Sequence, residues 1–120
     1  MRLRILLADD HVMFRDGIRP LINREEGMEV VGEAEDGLET VRLAKELKPD
    51  IIIMDYRLPI KNGIDAAKEI LEIDKKSKII IVTADKNIRD EALTIGVTSF
   101  KEKPCPINLL KNNIIKALKA

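Results

Sequence analysis

Apolar positions along the chain fall into two patterns that take turns. The first is the short unbroken run: Leu3-Arg4-Ile5-Leu6-Leu7-Ala8, Ile51-Ile52-Ile53-Met54 and Ile79-Ile80-Ile81-Val82. A strand with one wet face alternates apolar and polar residues, whereas a strand covered on both faces does not. These runs therefore predict strands buried on both sides. Glu29 to Ala34 reads as a second, weaker strand, and Ser99-Phe100-Lys101-Glu102 as a weak edge strand. The other pattern is recurrence every three or four residues, which predicts helices. Phe14, Ile18, Leu21 and Ile22 form the first set. Leu38, Val41, Ala44 and Leu47 form an inward face for a second helix, opened by Gly37 and closed by Pro49. After the Asn62-Gly63 turn, Ile64, Ala67, Ile70 and Leu71 form the third. A short fourth helix spans Arg89 to Ile95 and ends at Gly96, and Ile107, Leu110, Ile114 and Leu118 form the last. Pro20 falls inside the first helix. An interior proline costs about 3 kcal/mol, so a bend or an early end near Arg19 is expected.

Five strands and five helices in strict alternation imply right-handed crossovers and a parallel sheet. The expected fold is a doubly wound α/β sandwich, in which chemistry gathers beyond the carboxyl ends of the strands.

Composition narrows the picture. The chain has 120 residues, enough for one core and one domain over 1–120. Hydrophobic residues make up 45% and charged residues 35%, a globular balance rather than a disordered one. Lys plus Arg equal Asp plus Glu at 21 each, so the basic footprint of a nucleic-acid binder is missing. No apolar run approaches the roughly 20 residues that cross a bilayer, and the opening stretch is too short for a signal peptide. One cysteine, Cys105, excludes an intrachain disulfide and a multi-Cys zinc site and is read as a semi-buried loop residue. A cytoplasmic location fits. Charge is spread unevenly: residues 1–60 hold 7 Arg and 2 Lys against 13 acids, and residues 61–120 hold 1 Arg and 11 Lys against 8. Two accounts stay open, an asymmetric surface or two coding sources joined near residue 56.

The carboxyl-end rule singles out a few polar side chains. Strand one ends in Asp9-Asp10, strand three in Asp55 and strand four in Thr83, and Lys103 follows strand five. Neighbouring parallel strands lie about 4.8 Å apart, so such residues can share one crevice. Clustered carboxylates repel, and a hard divalent cation relieves the repulsion. Mg²⁺ suits oxygen donors, and no Cys or His cluster argues for zinc. Asp55 could then act as a nucleophile toward phosphorus, with Lys103 and Thr83 on the phosphoryl oxygens. Each residue also has a plainer reading. Asp9 or Asp10 could cap the first helix, Asp55 could be an ordinary strand end, Thr83 a β-former and Lys103 a solvated surface lysine. His11 reads as a bystander near the site rather than a ligand, since no second His exists, and Met13 and Met54 as packing.

Taken together, Leu7-Ala8-Asp9-Asp10-His11, Met54-Asp55-Tyr56-Arg57-Leu58-Pro59, Thr83-Ala84 and Lys103-Pro104 resemble a two-component response-regulator receiver domain over essentially the whole chain. The stretch Asp10 to Ile18 is most similar to the subgroup that carries a helix-turn-helix output domain. The resemblance implies a flavodoxin-like sheet of order 2-1-3-4-5. It implies that Asp55 accepts phosphate, that Asp10, Asp55 and the Arg57 carbonyl bind Mg²⁺, and that Asp9 acts through water. Thr83, the Ala84 N–H and Lys103 would contact the phosphoryl group, and Lys103-Pro104 would be a cis peptide. Thr83 and Phe100 would form a switch. The implied partners are a sensor histidine kinase or phosphotransfer protein and a downstream output protein or output domain, with a homodimer through the last helices as a further form. The implied module is not a turnover enzyme and does not itself bind DNA or membranes. Two departures stand out: a short segment between Thr83 and Lys103, which trims the fourth helix, and Phe100 where a tyrosine is common. Arg57 and Asp85 are expected to pair across the site mouth and hinder the hydrolytic water. The alternatives are the receiver part of a two-domain DNA-binding regulator, a docking-only receiver, and a Mg²⁺-dependent aspartyl-phosphate phosphatase. The phosphatase fits poorly, because those enzymes place a residue between the paired acids.

Overall fold

Each apolar run becomes a strand, and each three-to-four periodicity becomes a helix. The computed structural model describes residues 2–104 and 107–119. Cys105 lies outside the described residues, as do the side chains of Ile107 and Leu118. In chain order the elements are β1 (Leu3–Ala8), α1 (Val12–Arg24), β2 (Met28–Ala34), α2 (Gly37–Leu47), β3 (Ile51–Met54), α3 (Gly63–Ile73), β4 (Ile79–Thr83), a 3₁₀ turn (Lys86–Ile88), α4 (Arg89–Ile95), β5 (Ser99–Glu102) and α5 (Ile107–Lys119). The strands form one sheet in the order β2-β1-β3-β4-β5, and every neighbouring pair is parallel. None of the described helices is long and apolar enough to cross a membrane.

The isoleucine runs divide between two cores because successive strand side chains point to opposite faces. Leu6, Ile52, Met54, Ile79 and Ile81 pack with Val41, Ile64, Ile70 and Ala92 from α2, α3 and α4. Ile5, Leu7, Ile51, Ile53, Ile80 and Val82 pack with Ile18, Ile22, Leu110 and Ile114 from α1 and α5. Burying one such side chain contributes about 1.5–3 kcal/mol, which explains why an all-apolar run must be sandwiched.

Three local expectations are corrected. Of the two outcomes expected at Pro20, the early end does not occur: α1 continues past Arg19 to Arg24 with Pro20 inside it. Proline deprives the carbonyl of the residue four back of its donor. That residue is Asp16; both it and Pro20 are exposed, so water can supply the bond. Leu38 does not face inward but is 55% exposed, and Gly37, Thr40 and Val41 make the buried contact instead. Met13 does not pack either, being 89% exposed, whereas Met54 is 1% exposed. Gly96 ends α4 in a left-handed conformation with φ 107°, as its position at the end of the periodicity implies.

Candidate functional site

Parallel register brings the carboxyl ends of the central strands level. Ala8 pairs with Met54, Met54 with Ile81, and Thr83 with Glu102. The ladder then extends by one residue into the site. The Asp9 N–H donates to the Ala34 carbonyl at 3.0 Å, the Asp55 N–H to the Ala8 carbonyl at 2.9 Å, and the Lys103 N–H to the Thr83 carbonyl at 2.8 Å. Backbone hydrogen bonds thus set the positions of residues more than ninety apart in sequence.

Donor atoms of Asp9, Asp10, His11 and Asp55 all lie within 4.8 Å of one another. Asp9 and Asp55 are buried, at 2% and 3% exposure, and Asp10 is exposed. The Lys103 ammonium donates to Asp9 Oδ2 at 2.7 Å and to Asp55 Oδ2 at 3.1 Å. It also stands 4.3 Å from the centre of the Phe14 ring, a cation–π contact. Lys103 is therefore not a solvated surface residue, and its peptide bond to Pro104 is cis. His11 lies beside the site: its Nδ1 is 2.8 Å from Asp9 Oδ1 and 3.6 Å from Asp10 Oδ1 and Asp55 Oδ2. His11, rather than either aspartate, is the N-cap of α1, and its N–H donates to Asp9 Oδ1 at 2.9 Å.

The mouth is built by the loops after β3 and β4. Thr83 is buried at 1% exposure, and its Oγ1 accepts from the Asp85 N–H at 3.3 Å. Ala84 follows at the exposed rim. Arg57 Nη2 donates to Asp85 Oδ2 at 3.0 Å, so the expected pair across the mouth is present. The Arg57 N–H donates to Asp55 Oδ1 at 3.3 Å. Phe100 is half-buried against the α2–α4 core. Phe14 and Arg15 were not legible as site residues. Phe14 reads only as helix periodicity, and an arginine one turn into α1 gives no local sign that it folds back beneath the strand end.

Close backbone approach holds the β3–α3 loop. The Gly63 N–H donates to the Tyr56 carbonyl at 2.7 Å, and a Cβ on Gly63 would meet the Asp55 carbonyl oxygen at 2.3 Å. Ile60 sits in the same loop with φ 71°, an uncommon conformation for a β-branched residue. Gly63→Ala should therefore force the Asp55 backbone to move and destabilise the fold by about 1–3 kcal/mol. A urea midpoint equal to that of wild type would refute this.

The family model described as the response regulator receiver domain matches residues 5–115. The chain is 43% identical over 106 residues to the chemotaxis protein CheY of Thermotoga maritima, covering 87% of this chain and 88% of that one. It is 45% identical over 82 residues to the uncharacterized transcriptional regulatory protein YxjL of Bacillus subtilis, covering 68% of this chain but only 38% of that longer protein. Among solved structures, the response regulator domain of Thermotoga maritima CheB superposes with a TM-score of 0.93 at 34% identity, covering 100% of this chain and 98% of that one. With this fold, this strand order and these matches along nearly its full length, the chain belongs to the response regulator receiver domain family of two-component signalling.

Proposed function

We propose that this receiver domain accepts a phosphoryl group on the carboxylate of Asp55 and holds a Mg²⁺ ion beside it. One observation carries the reading: a single ammonium, Lys103, is shared by two buried carboxylates, Asp9 and Asp55, with Asp10 alongside. This arrangement leaves a surplus of negative charge at the end of a parallel sheet. A divalent cation relieves it. Four donors dominated by carboxylate oxygen suit Mg²⁺. Asp10, Asp55 and the Arg57 carbonyl would hold the ion, with Asp9 acting through water. When bound, the ion neutralises charge on the phosphoryl oxygens.

The chain's own groups do the rest. An Asp55 carboxylate oxygen forms the new bond to phosphorus, and the bond to the donor's nitrogen or oxygen breaks, its electron pair leaving with the donor. Lys103 turns from the carboxylates to a phosphoryl oxygen, and the Thr83 hydroxyl and Ala84 N–H take others. Such transfer is mainly positioning and charge stabilisation. Thr83 ends β4 and Phe100 lies on neighbouring β5, so an inward shift of the hydroxyl can pass to the ring as a two-state switch. The donor is a sensor histidine kinase or phosphotransfer protein in the cytoplasm, and the reader is an output protein or domain. Incubation with acetyl phosphate and Mg²⁺ tests the reading by intact mass; a chain that gains no phosphoryl group overturns it.

The Arg57–Asp85 pair should set the lifetime of the product by covering the path of the hydrolytic water. Arg57 is 74% exposed at its side chain, so the pair is weak, of the order of 0.2–1 kcal/mol. Arg57→Ala and Asp85→Ala should each speed loss of the phosphoryl group, by up to about fivefold. Unchanged rates in both variants would remove the pair from the mechanism.

A further inference from the structure

We infer that Arg15 is a positioning residue for the cation-binding carboxylates, acting through the Asp9 backbone; this rests on the cation reading above. Arg15 is the one buried arginine among the described residues, at 7% exposure, and the chemistry proposed so far does not use it. Its guanidinium turns back from α1 and grips three acceptors. One N–H donates to the Asp9 carbonyl, Nε to Glu33 Oε1 at 3.1 Å and Nη2 to Glu35 Oε1 at 3.2 Å. It thereby ties the end of β1 to the end of β2 from beneath.

The Asp9 carbonyl is the critical contact. A peptide unit is planar, so fixing the Asp9 carbonyl also fixes the Asp10 nitrogen and the direction in which Asp10 leaves. Asp9 is already held by its N–H to Ala34 and by its carboxylate to Lys103. Asp10 has no comparable anchor: its carboxylate is exposed, and among the polar contacts described it faces only His11, at 3.6 Å. The orientation of the Asp9–Asp10 peptide is therefore the main restraint on the Asp10 oxygens.

Charge alone predicts the opposite sign. A guanidinium near a cation site repels the cation, so removing it should tighten binding. In this structure Glu33 and Glu35 offset the charge of Arg15. Arg19 provides an internal comparison. It donates to both oxygens of Glu33, at 2.8 and 2.9 Å, and to Asp16 at 2.8 Å. The hydrogen bond to Asp16, followed by that to Glu33, holds its guanidinium pKa above the ordinary value. Arg19 thus belongs to the same ion-pair network, but its hydrogen bonds go to Glu33 and Asp16 and none to Asp9.

The test is calorimetric titration of the full chain with Mg²⁺ alone, in wild type, Arg15→Met, Arg15→Lys and Arg19→Met, below each variant's melting transition. Arg15→Met should raise the Mg²⁺ Kd tenfold or more, within the roughly 10–100-fold range for lost partners of metal ligands. Arg15→Lys should recover part of the loss, because one ammonium can reach the carbonyl or a glutamate but cannot span all three acceptors. Arg19→Met should stay within about twofold of wild type, since it cuts the network without touching Asp9. Equal or tighter Mg²⁺ binding in Arg15→Met overturns the role of Arg15, as does an equal loss in Arg19→Met. If Arg15→Met does not fold, Arg15→Lys decides: a Kd equal to wild type overturns the inference. A wild-type chain that shows no Mg²⁺ binding instead overturns the cation reading itself.

Discussion

Asp55→Asn should gain no phosphoryl mass under conditions in which the wild-type chain gains one. The substitution changes little in shape, because asparagine keeps an acceptor oxygen for Lys103 and fills the same buried space. It removes the nucleophile: an amide oxygen carries no full negative charge and cannot form a stable acyl phosphate. The effect should be all-or-none rather than graded, since no second carboxylate occupies the end of β3. Asp9 is equally buried, but its carboxylate takes the shorter contacts: Lys103 at 2.7 Å against 3.1 Å for Asp55, and His11 Nδ1 at 2.8 Å against 3.6 Å. Incubation with acetyl phosphate and Mg²⁺, read by intact mass, decides the matter. A persistent adduct in Asp55→Asn would place the acceptor elsewhere and sink the assignment.

Lys103→Met should destabilise the fold by about 3 kcal/mol without Mg²⁺, at the lower end of what breaking a buried ion pair costs. Asp9 and Asp55 share this one ammonium, and each has a side chain only 3% exposed. Methionine retains much of the length and apolar volume of lysine, so its contact with Phe14 persists while the charge is lost. The two carboxylates then face each other with Asp10 nearby. Mg²⁺ should restore part of the loss, because a ligand of the native state adds RT ln(1 + [L]/Kd), about 1.4 kcal/mol at ten times Kd. The variant should gain more from the ion than wild type does, since the ion relieves more repulsion there. Adding Asp10→Ala to either background should abolish the Mg²⁺ response. Melting midpoints with and without Mg²⁺ measure all of this. A Lys103→Met chain as stable as wild type in the absence of the ion would show that the buried carboxylates do not depend on the lysine.

Much of this site was legible from residue order. Asp9-Asp10, Asp55, Thr83 and Lys103 each follow an apolar run, and a parallel sheet sends such positions to one edge. The plainer reading of Lys103 as a solvated lysine gives way to its contacts with Asp9 and Asp55. Helix faces were less legible. Leu38 fits the inward spacing, yet Thr40 is buried in its place, its hydroxyl donating to the Asp36 carbonyl at 2.7 Å. Hydropathy assigned the wrong residue because that hydrogen bond removes much of the cost of burying a hydroxyl. Met13 fits the same kind of reading and stands in solvent. The usual cost of a lost bond overstates the effect of Pro20, because the orphaned Asp16 carbonyl lies on the wet side of α1.

By itself the sequence determined the strands, the helices, their alternation and the identity of the chemical groups at the strand ends. All of these follow from local periodicity and from chain order. Only the tertiary structure decided which side chains meet: the ammonium of Lys103 between Asp9 and Asp55, the ring of Phe14 beneath it, and the guanidinium of Arg15 under the Asp9 carbonyl. The physical reason is that periodicity encodes the direction of a side chain relative to its own element. A contact across elements depends instead on register and on the packing of α1 against the sheet, and no window of neighbouring residues contains that information.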